Sequence, residues 1–195
     1  MKHLDVFDIA NGYAQGYFLM AGEDGKLGWY SSRERTLIPL DERFHIPRSL
    51  KRALNSDRFE VRINGDFAAT VEGCATAHRD ETWISDELRD IYFRLNQAGF
   101  AYSFETWHEG KLAGGILGIV LGGGFIGESM FYHVPEASKV AMVRLVEHLK
   151  RRKFTLYDAQ LMNPHLERFG AYNVSPKQYQ KLLDRALQQD VLFTD

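Results

Sequence analysis

Apolar and polar residues alternate from Arg58 to Asn64, which is the pattern of a half-buried strand. Asp66 then begins a helical run over Phe67 to Ala77. A second helix is predicted between Ser85, whose hydroxyl suits an N-cap, and Gly99. The apolar residues of this helix recur at helical spacing and form one face: Leu88, Ile91, Tyr92 and Leu95.

Three apolar segments then predict strands over Ala101 to His108, Lys111 to Val120 and Phe125 to Tyr132. Short turns separate these strands, at Glu109-Gly110 and at Gly122 to Gly124. Because connections this short join antiparallel neighbours, we expect a three-stranded meander.

The C-terminal third predicts a long helix, a short strand and a last helix. The long helix opens at Pro135 and ends in the basic run Lys150 to Lys153, which suits the negative end of the helix dipole. The short strand covers Phe154 to Tyr157. Ser175-Pro176 opens the last helix, which reaches Leu187.

The pattern changes near Ser56. From Tyr13 to Leu40, aromatics, glycines and turn residues predict short strands around a tight turn at Glu23 to Lys26. We therefore expect a small, β-rich N-terminal subdomain over residues 1–55 and a larger domain over residues 56–195. The fold class is α+β, with a mixed, largely antiparallel sheet flanked by helices. The order of elements resembles the N-acetyltransferase (GNAT-like) fold.

Composition limits the cellular locations and the partners that we expect for this protein. The 195 residues are 45% hydrophobic, but the longest apolar stretches are too short to cross a bilayer. The N-terminal residues lack the apolar segment of a secretory signal. The single cysteine, Cys74, permits no internal disulfide, which fits a cytoplasmic location. We also expect a monomer with no membrane partner. A net charge of -2 argues against a uniformly basic surface but says nothing about local patches.

The usual cofactor motifs are missing. The seven histidines never fall at metal-ligand spacings, so we predict no metal. The sequence has no phosphate-binding P-loop, and Gly122 to Gly124 are better explained as a hairpin turn. Acyl-CoA transferases of this strand order carry a glycine-rich loop before the central helix, whereas residues 132–137 contain no glycine. An acyl-CoA donor is therefore disfavoured, and no cofactor is predicted.

Polar side chains interrupt two apolar segments. Glu128 lies within the apolar strand Phe125 to Tyr132, where burying a charge is costly unless a partner satisfies it. It is a functional carboxylate, a structural ion-pair partner or an outward-facing side chain. Asp158 and Gln160 follow the last short strand, and two-residue alternation places both on one side. The alternative for this pair is a solvated strand end.

Aromatic and basic residues provide further candidates. Trp29, Tyr30 and Trp83 belong either to the core or to a binding site. Two basic clusters are either solvated helix ends or, taken together, a footprint for phosphates. The clusters are Arg48, Lys51 and Arg52, and Lys150, Arg151, Arg152 and Lys153.

Short motifs run through most of the chain: Phe44 to Arg52, Glu81 to Ile84, Gly127 to Phe131, Ala137 to Lys139, Asp158 to Gln160, Asn163 to His165 and Phe169 to Ala171. In this order they resemble the leucyl/phenylalanyl-tRNA–protein transferase family. The resemblance implies an enzyme that moves Leu, Phe or, as a third candidate, Met from aminoacyl-tRNA to an N-terminal Arg or Lys of acceptor proteins. This transfer marks the acceptor for degradation.

The resemblance also implies the roles of the candidate residues. The acceptor amine attacks the ester carbonyl and the ribose hydroxyl leaves, so the already activated ester needs neither ATP nor a metal. Glu128 would recognise the positive end of the acceptor. Asp158 and Gln160 would form a catalytic pair in which Gln160 orients the amine, while Asp158 polarises Gln160 or stabilises charge on the attacking nitrogen.

The remaining candidates match the donor side of the family's site. Phe125, Met130 and Phe131 would line the apolar pocket, with methionine adaptable enough for both Leu and Phe. Trp29, Tyr30 and Trp83 would lie around the adenosine or at the rim of the pocket. The two basic clusters would bind the tRNA. The sequence departs from the family in its short N-terminal part and in Trp29-Tyr30, where a double tryptophan is more usual.

Two other functions stay open at this point. One is a tRNA-dependent transferase that adds amino acids to a peptidoglycan precursor, although such enzymes usually need two domains of this kind and a longer chain. The other is a non-catalytic adaptor that binds basic N-termini through Glu128 and delivers them to a protease.

Overall fold

The computed structural model of the chain describes residues 4–22, 24–77 and 82–195. Its helices are α1 (Val6–Ala14), α2 (Lys51–Asn55), α3 (Phe67–Thr76), α4 (Asp86–Gln97), α5 (Ala137–Arg151), α6 (Pro164–Glu167) and α7 (Pro176–Leu187), with a 3₁₀ turn at Arg48–Leu50 before α2. Its strands are β1 (Phe18–Ala21), β2 (Leu27–Tyr30), β3 (Arg35–Leu37), β4 (Glu60–Ile63), β5 (Ala101–His108), β6 (Lys111–Leu121), β7 (Gly124–Tyr132), β8 (Leu156–Gln160) and β9 (Tyr172–Val174).

Seven of these strands form a mixed sheet in the order β4-β5-β6-β7-β8-β3-β9, while β1 and β2 pair separately. Neighbours in the large sheet are antiparallel except β7 and β8, which are parallel. The connection between β7 and β8 contains α5, as a parallel pair requires a crossover. The predicted α+β class, with a mixed sheet flanked by helices, is confirmed.

Alternate residues of the central strands enter two cores on opposite faces of the sheet. Leu117 and Ile119 of β6 pack with side chains of α1, α3 and α4. Ile116 points the other way and packs with the apolar side of α5. The central strands are therefore covered on both faces, and a charged side chain on β7 or β8 has little access to solvent.

The elements with clear local signals form as predicted. The three-stranded meander is confirmed, and Ser85 caps α4 by accepting a hydrogen bond from the Leu88 amide. The long helix α5 begins at Ala137 instead of Pro135, because Glu136 takes a left-handed backbone conformation (φ 73°). Strand β8 starts and ends later than predicted, so Asp158 and Gln160 lie within it.

The N-terminal part contains more than short strands. The predicted turn is confirmed as the connection between β1 and β2, although Glu23 lies outside the described residues. Helix α1, capped by the Asp5 side chain, was not predicted. Strand β3 joins the large sheet between β8 and β9, and the division into residues 1–55 and 56–195 stays a prediction. Among the described residues, no helix has the length and apolar character that crossing a bilayer requires.

Candidate active site

The candidate site lies where the parallel strands β7 and β8 separate. Their pairing runs from Gly124 and Leu156 to Ile126 and Asp158, and ends there. Beyond this point the two strands diverge and leave a gap at their carboxyl ends. Ligands of α/β sheets bind outside the carboxyl ends of parallel strands, where neighbouring strands part.

A β-bulge directs Glu128 into this gap. Leu117 of β6 pairs with Ser129, but the next residue, Gly118, pairs with Gly127. Glu128 is therefore an extra residue that has no partner across the strand pair. Bulges re-aim a side chain locally, and here the bulge turns a carboxylate towards the end of β8.

Three donors surround the Glu128 carboxylate, which is 7% exposed. The hydroxyls of Tyr13 and Tyr92 donate to Oε2 at 2.9 Å and 2.7 Å, and Gln160 Nε2 donates to Oε1 at 2.9 Å. Burial raises the pKa of Glu128 to about 7, against the hydrogen bonds from the two tyrosines and with help from the charge of Asp158. Burial and the nearby Glu128 charge raise the pKa of both tyrosines, so they remain donors.

Asp158 lies deeper, within a buried ion pair. The Arg35 guanidinium donates to both carboxylate oxygens, with Nη2 at 2.6 Å from Oδ2, and the Tyr179 hydroxyl donates to Oδ2 at 2.6 Å. Arg35 is held in turn by the rings of Phe18 and Tyr179, whose centroids lie 5.0 Å and 4.4 Å from its Cζ. Every contact of Asp158 is internal to the protein, so the carboxylate organises its neighbours.

Gln160 connects the two acids. Its backbone N–H donates to Asp158 Oδ1 at 2.8 Å, while its side-chain Nε2 donates to Glu128. The residue has a left-handed backbone (φ 64°), which is uncommon for a non-glycine residue and is held here by the Asp158 bond. Because Nε2 faces Glu128, the amide oxygen of Gln160 is the group left to accept a hydrogen bond from a ligand.

A cavity of about 190 Å³, lined by both apolar and polar side chains, opens beside these groups. Glu128, Ser129 and Met130 of β7 form one wall, and Tyr157 and Ala159 of β8 form another. The remaining lining residues are Ile116, Gly127, Met142, Asn163 and Leu166. We call this space the donor cavity, because it contains the predicted pocket residue Met130 beside the Glu128 carboxylate.

Only one of the three predicted pocket residues lines the donor cavity. Met130 does so, whereas the Phe125 ring is fully buried and packs against Tyr157 and Phe193 at centroid distances of 5.2 Å and 5.6 Å. Phe125 therefore supports the Tyr157 wall from behind. Phe131 lies on the following cavity along β7, next to His133.

The aromatic candidates lie in and around the N-terminal core. Trp29 is 37% exposed, stands edge-on to Tyr13 and covers Gly12, where any side chain would clash with its ring. Tyr30 stacks on Phe18, and Trp83 is half-buried against the same core. Trp29 is thus linked to the site through Tyr13, which binds Glu128, while the contacts of Tyr30 and Trp83 are with the core.

The two basic clusters lie apart. The segment that carries Arg48 packs near Glu136 and Lys139, at the beginning of α5, whereas Lys150 and its neighbours follow at the end of that helix. Fifteen helical residues separate these ends by roughly 22 Å. Arg152 in the second cluster also pairs with Asp195. Among the residues that the structure describes, no three His, Cys, Asp or Glu side chains gather into a metal site.

Sequence reasoning missed the residues that hold the two acids: Tyr13, Tyr92, Arg35 and Tyr179. Tyr92 was assigned to the apolar face of α4, and its hydroxyl does not affect that pattern. A buried tyrosine hydroxyl needs a hydrogen-bond acceptor, and a buried carboxylate needs donors. These complementary needs could have predicted contacts between tyrosines and the buried acids. The chain has nine tyrosines, however, and local pattern does not say which of them approach Glu128.

Replacing Glu128 with glutamine is expected to flatten the pH dependence of stability between about pH 4.5 and about pH 7. Burial raises the pKa of Glu128, so the native state keeps a proton that the unfolded state has lost, and the free energy of unfolding falls as pH rises. The loss amounts to about 3 kcal/mol across this window. Glutamine cannot ionise, so the variant lacks this loss.

Urea unfolding at about pH 5 and about pH 8 measures this difference for the wild type and for Glu128→Gln. The matched control is Glu87→Gln, which changes an exposed carboxylate on α4 and should leave the wild-type pH dependence in place. An equally steep decline in the Glu128→Gln variant would show that another group is responsible.

Comparison with known sequences agrees with the motifs around this site. The profile of the leucyl/phenylalanyl-tRNA protein transferase family matches residues 37–184, and the profile of that family's N-terminal domain matches residues 3–33. A leucyl/phenylalanyl-tRNA–protein transferase from Trichormus variabilis is 65% identical over 183 residues, which are 94% of this chain and 95% of the relative. One from Herpetosiphon aurantiacus is 47% identical, over 98% of this chain and 99% of that relative.

Solved structures give weaker matches. One match is the C-terminal domain of a putative lysylphosphatidylglycerol synthetase from Agrobacterium fabrum. The alignment covers 92% of this chain and 56% of that chain, at 10% identity and a TM-score of 0.47. The alignment with L-PGS from Bacillus licheniformis covers 81% of this chain and 51% of that chain, at 14% identity and a TM-score of 0.47. The family assignment depends on the sequence matches, which span both parts of the chain. The chain belongs to the leucyl/phenylalanyl-tRNA–protein transferase family.

Proposed function

We propose that this chain transfers Leu or Phe from aminoacyl-tRNA to the N-terminal Arg or Lys of acceptor proteins. The observation that carries the proposal is the donor cavity itself, whose wall combines apolar side chains with Glu128, and the Gln160 amide lies 2.9 Å from that carboxylate. The names of the relatives include leucyl- and phenylalanyl-tRNA and a protein acceptor, and the preference for an N-terminal Arg or Lys is part of the proposal. The cavity provides a place for an apolar side chain beside polar groups that can hold an amine.

The size and lining of the donor cavity suit the side chains of Leu, Phe and Met. Cavities of about 150 Å³ with aliphatic and aromatic walls take up benzene, and this one measures about 190 Å³. Met130 and Met142 have flexible thioethers that adapt to either a branched or a planar side chain. A negatively charged donor side chain would be desolvated there beside the Glu128 carboxylate, which disfavours it.

The reaction needs little from the protein beyond positioning. The acceptor nitrogen forms a bond to the ester carbonyl carbon, the bond between that carbon and the ribose oxygen breaks, and the ribose oxygen gains the proton that the amine loses. An α-amine has a pKa of about 7.7–8.0, so an appreciable part is neutral near physiological pH. The Gln160 amide oxygen accepts a hydrogen bond from this amine and thereby directs the lone pair of the amine nitrogen at the ester carbonyl carbon.

Asp158 contributes to this step through Gln160. Its carboxylate holds the Gln160 backbone N–H at 2.8 Å, and its remaining contacts are with Arg35 and Tyr179. It does not line the donor cavity. Of the two roles expected from the sequence, this geometry favours polarising and positioning Gln160 over direct contact with the attacking nitrogen.

Glu128→Gln is expected to weaken the use of peptides that begin with Arg or Lys while sparing any transfer to neutral N-termini. Above its raised pKa of about 7, the Glu128 carboxylate supplies negative charge at the edge of the donor cavity. Its buried position strengthens the attraction of that charge to a cationic acceptor. The measurement compares kcat/KM for peptides that differ only in the first residue, Arg against Ala. An equal loss on both peptides would contradict acceptor recognition by Glu128.

The proposed function itself is tested by incubating the protein with charged Leu-tRNA and a peptide that begins with Arg. We expect a product one leucine longer, detected by mass, and likewise with Phe-tRNA. If the peptide binds but no transfer occurs with Leu, Phe or Met, the adaptor function replaces the proposed one.

The proposal includes the setting of the enzyme and its contacts with the rest of the tRNA. We expect a cytoplasmic location, because the single, buried Cys74 suits a reducing compartment. A monomer without a membrane partner is part of the same proposal. The basic clusters at Arg48 to Arg52 and Lys150 to Lys153 are proposed to contact the tRNA backbone. The GNAT-like assignment of the larger domain is part of the same proposal, supported by the mixed sheet and the crossover through α5.

A further inference from the structure

The donor cavity continues into a row of further cavities along the beginning of α5. A second cavity of about 370 Å³ shares Met130 with it and is lined by Ser138, Lys139 and His165. A narrow third cavity shares Lys139 and His165 with the second. It also reaches Arg168. We call this row of cavities beyond Met130 the cationic groove.

The far end of the cationic groove reaches one of the predicted basic residues. The third cavity shares Pro47, Ser49 and Arg168 with a fourth cavity of about 460 Å³, which is also lined by Arg48. The groove thus joins the donor cavity to Arg48 through side chains that had no assigned role. Lys51 and Arg52 continue the basic surface on the exposed side of α2.

Positive charge in the cationic groove is not cancelled by its one lining acid. Among the described residues, neither Lys139 nor Arg168 has a carboxylate within 4.0 Å. The acid, Glu136, lies 4.0 Å from Arg58, which offsets its charge. Burial, and after it the charges of Lys139 and Arg168, lower the pKa of His165, so its neutral imidazole lines the groove beside these two cations.

Local sequence explains how His165 reaches the groove. Asn163 caps the short helix α6 by accepting a hydrogen bond from the Leu166 amide, and Pro164 opens the helix. This turn directs Leu166 into the donor cavity and His165 into the groove. One four-residue helix therefore contributes to both spaces and fixes the distance between them.

We propose that Lys139, His165 and Arg168 bind backbone phosphates of the single-stranded 3′ end of the donor tRNA, next to its terminal nucleoside. This inference rests on the proposed function. The groove begins where an aminoacyl side chain in the donor cavity would leave its nucleoside, and it leads to further cations at Arg48. Phosphate contacts fix register without reading sequence, which suits an end that tRNAs share.

The charge of the groove disfavours the other substrate. An acceptor that begins with Arg or Lys would bring a like charge beside Lys139 and Arg168. The acceptor must then approach Gln160 from another side, so donor and acceptor have separate routes to the same gap between β7 and β8. An acidic peptide segment could also meet these cations, and the experiment below distinguishes it from phosphate.

The test compares donors with and without phosphates. Lys139→Gln/Arg168→Gln is measured with charged tRNA, with an aminoacylated trinucleotide of the 3′ end, and with aminoacyl-adenosine, which lacks phosphates. We expect KM for the trinucleotide to rise about tenfold, and the slope of log affinity against log salt to fall by about 0.7 for each lost contact. KM for aminoacyl-adenosine should stay within about twofold of the wild type.

The matched control is Lys181→Gln/Arg185→Gln, which removes two exposed cations of α7 and should leave all three donors unaffected. The single variant Arg168→Gln, at an exposed position, repeats the test if the double variant does not fold. Equal losses on the phosphate-free donor, no change on the trinucleotide, or a loss confined to acidic acceptor peptides would each overturn the inference. A wild type inactive with all three donors would overturn the proposed function, and this inference with it.

Discussion

Replacing Asp158 with alanine is expected to lower turnover more than about tenfold, which is roughly 1.4 kcal/mol of barrier. It should also destabilise the fold by about 3–5 kcal/mol, because Arg35 would remain buried without its partner. The loss of turnover follows from the Gln160 backbone, which relies on Asp158 for its left-handed conformation. Donor affinity should be retained, since Asp158 does not line the donor cavity.

Separating the two effects requires a gentler variant and a surface control. Asp158→Asn keeps an oxygen for the Gln160 N–H but also removes the negative charge that faces Arg35. Urea unfolding therefore measures the stability of both Asp158 variants, and turnover is compared only under conditions in which each is folded. Asp90→Ala breaks the exposed pair with Arg94, and it should cost less than about 1 kcal/mol in urea unfolding without affecting turnover. Unchanged turnover in folded Asp158 variants would remove this residue from the mechanism.

Ala159→Leu is expected to lower kcat/KM for the Phe donor by about 10- to 150-fold, and for the smaller Leu donor by less. Ala159 lies between the two catalytic candidates on β8 and lines the donor cavity, so a larger side chain fills part of that space. A phenylalanine side chain that is kept out of its pocket loses about 1.5–3 kcal/mol of favourable binding free energy from burial. Competition between Phe-tRNA and Leu-tRNA for one peptide measures the change in preference directly.

Ala171→Leu is the matched control, because this alanine is also half-buried against the same core but lies outside the donor cavity. It should leave the ratio of Phe to Leu transfer unchanged. Both variants are checked for folding by urea unfolding. A preserved ratio in Ala159→Leu would show that the aminoacyl side chain binds elsewhere.

Much of the fold could be predicted because its signals are local. The Ser85 cap and the apolar face of α4 lie within twelve residues, and the β5 to β7 meander is joined by turns at Glu109-Gly110 and Gly122 to Gly124. Helix α1 was missed because its nine residues include Gly12, which weakens the helical pattern. Its position depends on tertiary packing, since Gly12 leaves room for Trp29.

The candidate site was found only in part, for a related reason. Glu128 and Asp158 stand out as acids in apolar strands, and their burial agrees with the cost that makes such residues unusual. Their partners come from distant parts of the chain: Tyr13 is 115 positions from Glu128, and Arg35 is 123 positions from Asp158. Periodicity cannot detect such pairs, because it describes one element at a time.

The bulge at Glu128 interrupts the pairing of β6 and β7 and places a carboxylate in the candidate site. Without this one residue, Gly127 and Ser129 would follow each other directly and keep their present partners on β6, Gly118 and Leu117. The strand pair would then be uninterrupted, and the molecule would lose a buried ionisable group. Glu128 is thus an insertion that the architecture does not require. Selection for thermal stability alone would favour deleting this residue, which we propose recognises the acceptor.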